Sequence, residues 1–402
     1  MVDVESAFTS LFWILLAAAV APLVAALVPR RLVPEVVLLL ALGVMIGPFV
    51  ADLAGTETSV ELLRELGLAM LFLLAGFEIE PSELSGRAGR VALGTWLTCL
   101  ALAFGVVGLL AAAGQLVNEV AVAIALTSTA LGTLLPILKD QSILGTPVGA
   151  AVLRHGAYGE LGPIVAIAIL LGTRGALKSL LVLAAFALVA VVLALAPLQL
   201  RRGTSRLGSL VRQGADTTGQ TTVRMTMLML VTLITVAEVF DLDIVLAAFA
   251  AGFILRLAVP EGNHHLEQKI EGIAFGLLVP VFFVTSGMAI DPDAITSHPG
   301  ELALVVLLII AIRGVPVFLA SRLLRRPPLG SRESVAVGSF AATGLPIIVA
   351  VTSVSLDAGQ MTSDNASLLV SAGALTVLIC PLLATVVLRR EPAPTSTPGL
   401  PG

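Results

Sequence analysis

"TSTALGTLLP", Thr127 to Pro136, lies inside an apolar run long enough to cross a bilayer, and "AATGLPII", Ala342 to Ile348, lies inside another. Gly and Pro at such depth expose or remove backbone hydrogen bonds that lipid cannot replace. Breaks of this kind are tolerated where they line a cavity, and there the freed carbonyls and helix ends can hold ions. A plain proline kink, with each Thr bonding its own backbone, is the simpler alternative. The same break in two corresponding places weighs against it.

The composition sets the class. Of 402 residues, 57% are hydrophobic and 12% charged, whereas a soluble domain carries about 25% charged residues. This is the composition of a polytopic membrane protein, all-α in fold class. Cys99 and Cys380 both lie in apolar runs and read as packing residues. The net charge is only −4, and the basic residues fall in short clusters between apolar runs, so nucleic acid is not expected as a partner. No phosphate-cradling glycine loop, zinc spacing or Ser/His/Asp arrangement stands out, which argues against an ATP-driven pump or a soluble-type enzyme.

Runs of roughly 20 apolar residues are needed to span a bilayer. Thirteen are read, at 8–28, 34–54, 61–80, 91–113, 120–138, 147–171, 175–200, 222–240, 243–259, 271–290, 301–324, 333–356 and 366–388. The leading "MVDVES" is acidic and Arg30 and Arg31 follow the first run, the reverse of a secretory signal. With the N-terminus outside, eighteen of the twenty-three Lys and Arg fall in inner loops and only Arg64, Arg174 and Lys178 in outer ones. That bias predicts a multi-pass protein of the cell (inner) membrane, with its N-terminus outside and its C-terminus cytoplasmic.

An internal repeat accompanies the breaks. "FLLAGFEIEPSEL" (Phe72 to Leu84) and "FVTSGMAIDPDAI" (Phe283 to Ile295) align at an offset of 211, pairing Gly76 with Gly287, Glu80 with Asp291 and Pro81 with Pro292. "TALG" (Thr129 to Gly132) and "TGLP" (Thr343 to Pro346) align at 214. Chance likeness among apolar helices is the alternative, and it weakens with two echoes at nearly one offset. Both offsets shift the match by seven runs, an odd number, so the halves have opposite orientation. The predicted architecture is two inverted six-helix repeats of a secondary transporter, with crossed broken helices. The boundaries are 1–174 for the first repeat, 175–221 for a linker helix and cytoplasmic loop, 222–388 for the second repeat, and 389–402 for a disordered tail.

Two charges lie at membrane depth. Glu160 is at the middle of the sixth run, "LRHGAYGELGPIVAIAILL" (Leu153 to Leu171), and Arg313 is at the middle of the eleventh. Mid-span charges cost about 2.5–3.5 kcal/mol each on insertion scales, so they face an aqueous pathway or each other. A buried structural ion pair is the alternative. Arg154 lies close enough to the cytoplasmic end to snorkel, and His155 beside it reads either as a satisfied helix histidine or as a pH sensor. Glu78, near the inner end of the third run, is equally a solvated cap or part of the ion pathway. Glu238, Asp241 and Asp243 read as a hydrated rim, and His264 and His265 lack a convincing set of metal partners.

These motifs resemble the cation:proton antiporter superfamily, above all its potassium-efflux and sodium/proton branch. The resemblance rests on Thr127-Ser128-Thr129-Ala130, "ILKDQSILGTPVG" (Ile137 to Gly149), the acid of the sixth run, "FLLAGFEIEP" and "FFVTSGMAIDP". It runs from about Phe8 to Leu388. It implies that Glu160 takes the place of the ion- and proton-binding aspartate, that Thr127, Ser128 and Thr129 lie on the unwound fifth helix, and that Thr343 is their counterpart on the twelfth. It also implies that Arg313 and Glu78 are the supporting charges of the eleventh and third helices, and that the protein is a homodimer. Two departures stand out. The residue before the acid is Gly159 where the family has Asn, Asp or Gln, and the acid is Glu rather than Asp. The chain closes on "EPAPTSTPGLPG", which reads as a disordered tail, so the cytosolic nucleotide-binding domain of many potassium-efflux relatives is not expected.

The expected activity is exchange of a monovalent cation, Na+ or K+, for protons, with Glu160 holding either one. A single carboxylate points to electroneutral exchange. No cofactor is expected beyond the transported ions, and the partners are those ions, the lipid bilayer and a second copy. Two other readings remain: a sodium-coupled symporter of an organic solute on the same fold, for which the sequence shows little to build a pocket, and a channel.

Overall fold

A helix stands in each of the thirteen predicted runs. The computed structural model describes residues 2–27, 33–80, 84–112, 119–171, 181–192, 220–240, 242–258, 264–325 and 327–389, with no strand among them. The tail from 390, Asp241, Pro81 and most of the linker run lie outside the described residues, as do the side chains of His264 and His265. Seven of the described helical segments are long and apolar enough to cross a membrane, the broken twelfth among them; the third and sixth are of similar length but more polar, and the rest are shorter. Their outer faces are greasy: Phe8, Phe12 and Leu23 of the first helix (Val2–Leu27) are 69%, 58% and 66% exposed. Such a surface is stable only against lipid.

Local chemistry sets the helix ends. The second helix (Glu35–Ile46) stops eight residues before the predicted 54, at Gly47 and Pro48, because Pro48 supplies no N–H to continue it. The sixth (Pro147–Ala166, continued by a wide turn at Ile167–Leu171) begins at Thr146, whose hydroxyl accepts the Gly149 N–H at 3.2 Å, with Pro147 in the first turn.

The helices sort into two layers. The first, second, third (Thr58–Glu78), eighth (Thr221–Val239), ninth (Ile244–Ala258) and tenth (Leu266–Met288) pack together. The fourth (Gly86–Ala112), fifth, sixth, eleventh (Pro299–Leu324), twelfth and thirteenth (Ser363–Arg389) form the other layer.

The inversion is visible in how the first layer crosses itself. The third helix meets the ninth through reciprocal glycines: a Cβ on Gly76 would stand 2.1 Å from the Phe249 carbonyl oxygen, and one on Gly252 1.9 Å from that of Leu73. The tenth meets the second in the same way, Gly287 against the Leu40 oxygen at 2.2 Å and Gly43 against Val284 at 2.1 Å. A shift of seven spans turns one crossing into the other. Small residues at both let the backbones touch, which is how helices associate where lipid removes the hydrophobic drive.

Candidate functional site

Three glycines at helical spacing line one face of the sixth helix. A Cβ on Gly156 would strike the Leu131 side chain at 2.2 Å, one on Gly162 the Trp96 ring at 2.2 Å, and one on Gly159 the Arg313 guanidinium at 2.2 Å and Thr129 Oγ1 at 2.5 Å. That bare face lets the sixth helix come against the interrupted fifth. Pro163 then opens a docking point. It has no N–H to give to the carbonyl four residues back, which is that of Gly159, and this oxygen accepts the Thr129 N–H at 2.8 Å.

The fifth helix runs as Glu119–Ala125, unwinds over 126–130, and resumes as Leu131–Asp140. The twelfth runs as Ser331–Ala341, unwinds over 342–344, and resumes as Leu345–Asp357. The two breaks meet. Ala130 N–H donates to the Thr343 carbonyl at 2.7 Å, and Ser128 Oγ lies 3.3 Å from the Gly344 oxygen. Hydroxyls close the ends of the first half-helices: Thr127 donates to Ile124, Ser128 to Ala125 and Thr343 to Phe340, at 2.8, 2.7 and 2.7 Å. All four hydroxyl residues, Thr127, Ser128, Thr129 and Thr343, are buried.

Charge is arranged to suit these helix ends. The N-terminus of a helix carries partial positive charge and the C-terminus partial negative charge. Glu160, 2% exposed, receives the backbone N–H of Leu131 at the start of the resumed fifth helix. Its other oxygen, Oε2, is buried with no hydrogen-bond partner among the described residues. Glu78 is near enough to act on it electrostatically, and stands over Gly132 of the same helix end. Arg313, fully buried, serves the opposite pole. Its Nε donates to Thr129 Oγ1 at 2.9 Å, and Thr129 in turn donates to the Ala341 carbonyl at the end of the first half of the twelfth helix. Arg313 also donates to the His155 carbonyl at 2.5 Å and to Cys99 Sγ at 3.8 Å. Among the described residues it forms no ion pair, so the mid-span acid and base are not partners.

The structure therefore brings Glu160, Thr127, Ser128, Thr129, Thr343, Arg313 and Glu78 to one crossing. His155 is buried next to it, with its carbonyl on Arg313 and its ring Nδ1 unpartnered among the described residues. Arg154 is half-buried in the N-terminal half of the sixth helix, and Asp243 caps the ninth by accepting the Val245 N–H at 2.8 Å. Sequence reasoning missed Leu131, Cys99 and Pro163, and treated Gly159 only as an absent side chain. Pro163, four residues beyond Gly159 in a run that also holds the acid, was the available signal.

A model of the family described as sodium/hydrogen exchanger, transmembrane, matches residues 15–390. The chain belongs to that family. It is 22% identical over 384 residues to the putative Na(+)/H(+) antiporter YjbQ of Bacillus subtilis (strain 168), which covers 90% of this chain and 60% of that protein. It is 26% identical over 362 residues to the glutathione-regulated potassium-efflux system protein KefC of Klebsiella pneumoniae subsp. pneumoniae, covering 87% and 56%. The chain thus spans little more than half the length of these two relatives. The Na(+)/H(+)-K(+) antiporter GerN of Bacillus cereus is 22% identical over 355 residues, and 88% of its length is matched. In fold the chain resembles the sodium proton antiporter MjNhaP1 from Methanocaldococcus jannaschii, with a TM-score of 0.61 and 17% identity over 95% of this chain and 98% of that one. This is a multi-pass membrane protein of the sodium/proton antiporter fold.

Proposed function

We propose that this chain exchanges a monovalent cation, Na+ or K+, for protons across the membrane by alternating access, and that Glu160 binds both. The observation that carries the reading is the buried Glu160 carboxylate, fixed at one end by the Leu131 N–H and open at Oε2 beside two crossed helix breaks. A bare carboxylate out of water is costly, so it is carried either with a proton or with a cation, and that competition couples the two fluxes. Thr127, Ser128 and Thr343 give their hydroxyl protons to carbonyls, which leaves oxygen lone pairs for a hard cation. Thr129 belongs to the scaffold, since its oxygen already accepts from Arg313.

The layer of the fourth, fifth, sixth and eleventh to thirteenth helices would move against the other. A cavity of about 320 Å3 between them, lined by Arg64, Ser286, Thr352 and Ser367, is the outer entrance in this reading. Residues 1–174 and 222–388 would be the inverted halves, with 175–221 linking them. The N-terminus would lie outside the inner membrane, and two copies would form a homodimer. The protein performs no covalent chemistry and takes no cofactor on this account. With one carboxylate and no side chain at Gly159, exchange would be one-for-one and electroneutral.

Reconstituted protein in vesicles loaded with a pH dye is the test. A gradient of Na+ or K+ should drive proton movement, and Glu160→Gln should abolish it. Cation flux without proton movement would overturn the reading. If an imposed potential alone drove net cation flux at equal concentrations, exchange would not be electroneutral.

A further inference from the structure

A second cavity, of about 190 Å3, lies at the opposite end from the Arg64 entrance, between the fourth, sixth and eleventh helices. Arg87, Arg154 and Arg325 line it, together with His155 and Ser321, and no acidic residue does among the described residues. Ser321 is 1% exposed with its hydroxyl oxygen unpartnered, and His155 is 6% exposed with Nδ1 unpartnered, both among the described residues. Arg154 and Arg325 are close enough to act on each other, and both act on His155. Glu333 is the carboxylate that offsets Arg325, but it does not line the cavity. Three guanidinium groups from three helices thus converge on one hollow, and their summed positive field favours an anion there.

We propose that this cavity binds a phosphoryl group. Arginine forks suit phosphate oxygens, and the buried Ser321 hydroxyl supplies a further donor. The volume is below the roughly 300–1,000 Å3 of sites that enclose drug-sized ligands, so it takes a phosphate group and not a whole nucleotide. Leu324, 55% exposed, adds apolar surface to the lining. That surface suits the phosphodiester of an anionic lipid as well as a free phosphate. An occupant would tie the fourth, sixth and eleventh helices together beside the His155 carbonyl that holds Arg313.

The full-length protein, delipidated in neutral detergent, is the material for the test. Melting temperature is measured at fixed ionic strength with phosphatidylglycerol, phosphatidylcholine or inorganic phosphate, and retained lipid is read by native mass spectrometry. Phosphatidylglycerol should raise the melting temperature where phosphatidylcholine does not, and the concentration needed should rise at least ten-fold in the double variant Arg154→Gln, Arg325→Gln. Stabilisation by inorganic phosphate, lost in the same variant, would identify a free-phosphate source for the same chemistry. The double variant Arg154→Lys, Arg325→Lys keeps the charge and should retain most of the effect, which guards against simple misfolding. If neither probe stabilises the protein, or both stabilise the Gln variant equally, the proposal is overturned.

Discussion

Thr129 donates its backbone N–H to the Gly159 carbonyl at 2.8 Å, an oxygen left open because Pro163 stands four residues further along the sixth helix. One missing hydrogen bond in a regular helix thus fastens an unwound strand of another. Replacing Pro163 with Ala should, on helix propensity alone, stabilise by about 3 kcal/mol. We expect the opposite. The restored N–H competes with Thr129 for Gly159, so Pro163→Ala should melt at a lower temperature and exchange more slowly. A variant with a raised melting temperature and full exchange would refute this account.

Gly159 has no room for a side chain, because Arg313 and Thr129 fill the space its Cβ would occupy. Gly159→Ala should destabilise by about 1–3 kcal/mol, the usual range for overpacking. Arg313→Ala removes the nearer of the two obstructions, so the double variant should lose less than the sum of the two singles. Additive losses in thermal melts would show that the two positions do not interact.

Thr129 links Arg313 to the Ala341 carbonyl. Thr129→Val keeps the shape but leaves a buried donor and a buried acceptor unmatched, each worth about 1–3 kcal/mol. Thr129→Ser should retain most of the stability. Comparing the two by thermal melting separates the hydroxyl from the methyl group, and equal losses would remove the hydroxyl from the explanation.

Glu160→Gln preserves size, so the protein should fold and insert normally. The neutral side chain can neither titrate nor attract a cation, so proton–cation exchange should drop to the level of empty vesicles. Glu160→Asp should keep some activity, because the carboxylate survives with a shorter reach to the Leu131 N–H. Exchange by the Gln variant within a few-fold of the parent would place the site elsewhere.

Gly252→Ala and Gly287→Ala press a methyl group onto backbone oxygens at 1.9 and 2.2 Å in the two related crossings. Backbone cannot swing aside as a side chain can, so both variants should give little monodisperse protein on size-exclusion chromatography. Gly272→Ala, which meets open space, is the control and should behave like the parent. Normal recovery of either crossing variant would mean that the first layer is looser than its geometry implies.

Much of the architecture was legible in the chain because lipid enforces a strict rule: polar backbone must be satisfied within each crossing segment. Composition and run length follow from that rule; the bias of Arg and Lys and the echoes of Gly76 with Gly287 and Thr129 with Thr343 are separate signals, and together they pointed to a thirteen-run inverted repeat with two breaks. The depth of Glu160 and Arg313 was readable for the same reason. What the linear order could not disclose was which groups meet. Arg313 and Glu160 invited pairing as a buried acid and base, yet the fold sends Arg313 to Thr129 and the His155 carbonyl, and Glu160 to the Leu131 N–H. Helix ends carry charge that has no letter in the sequence. Their poles become available only once two broken helices cross, so the partners of each charge were decided by the tertiary structure alone.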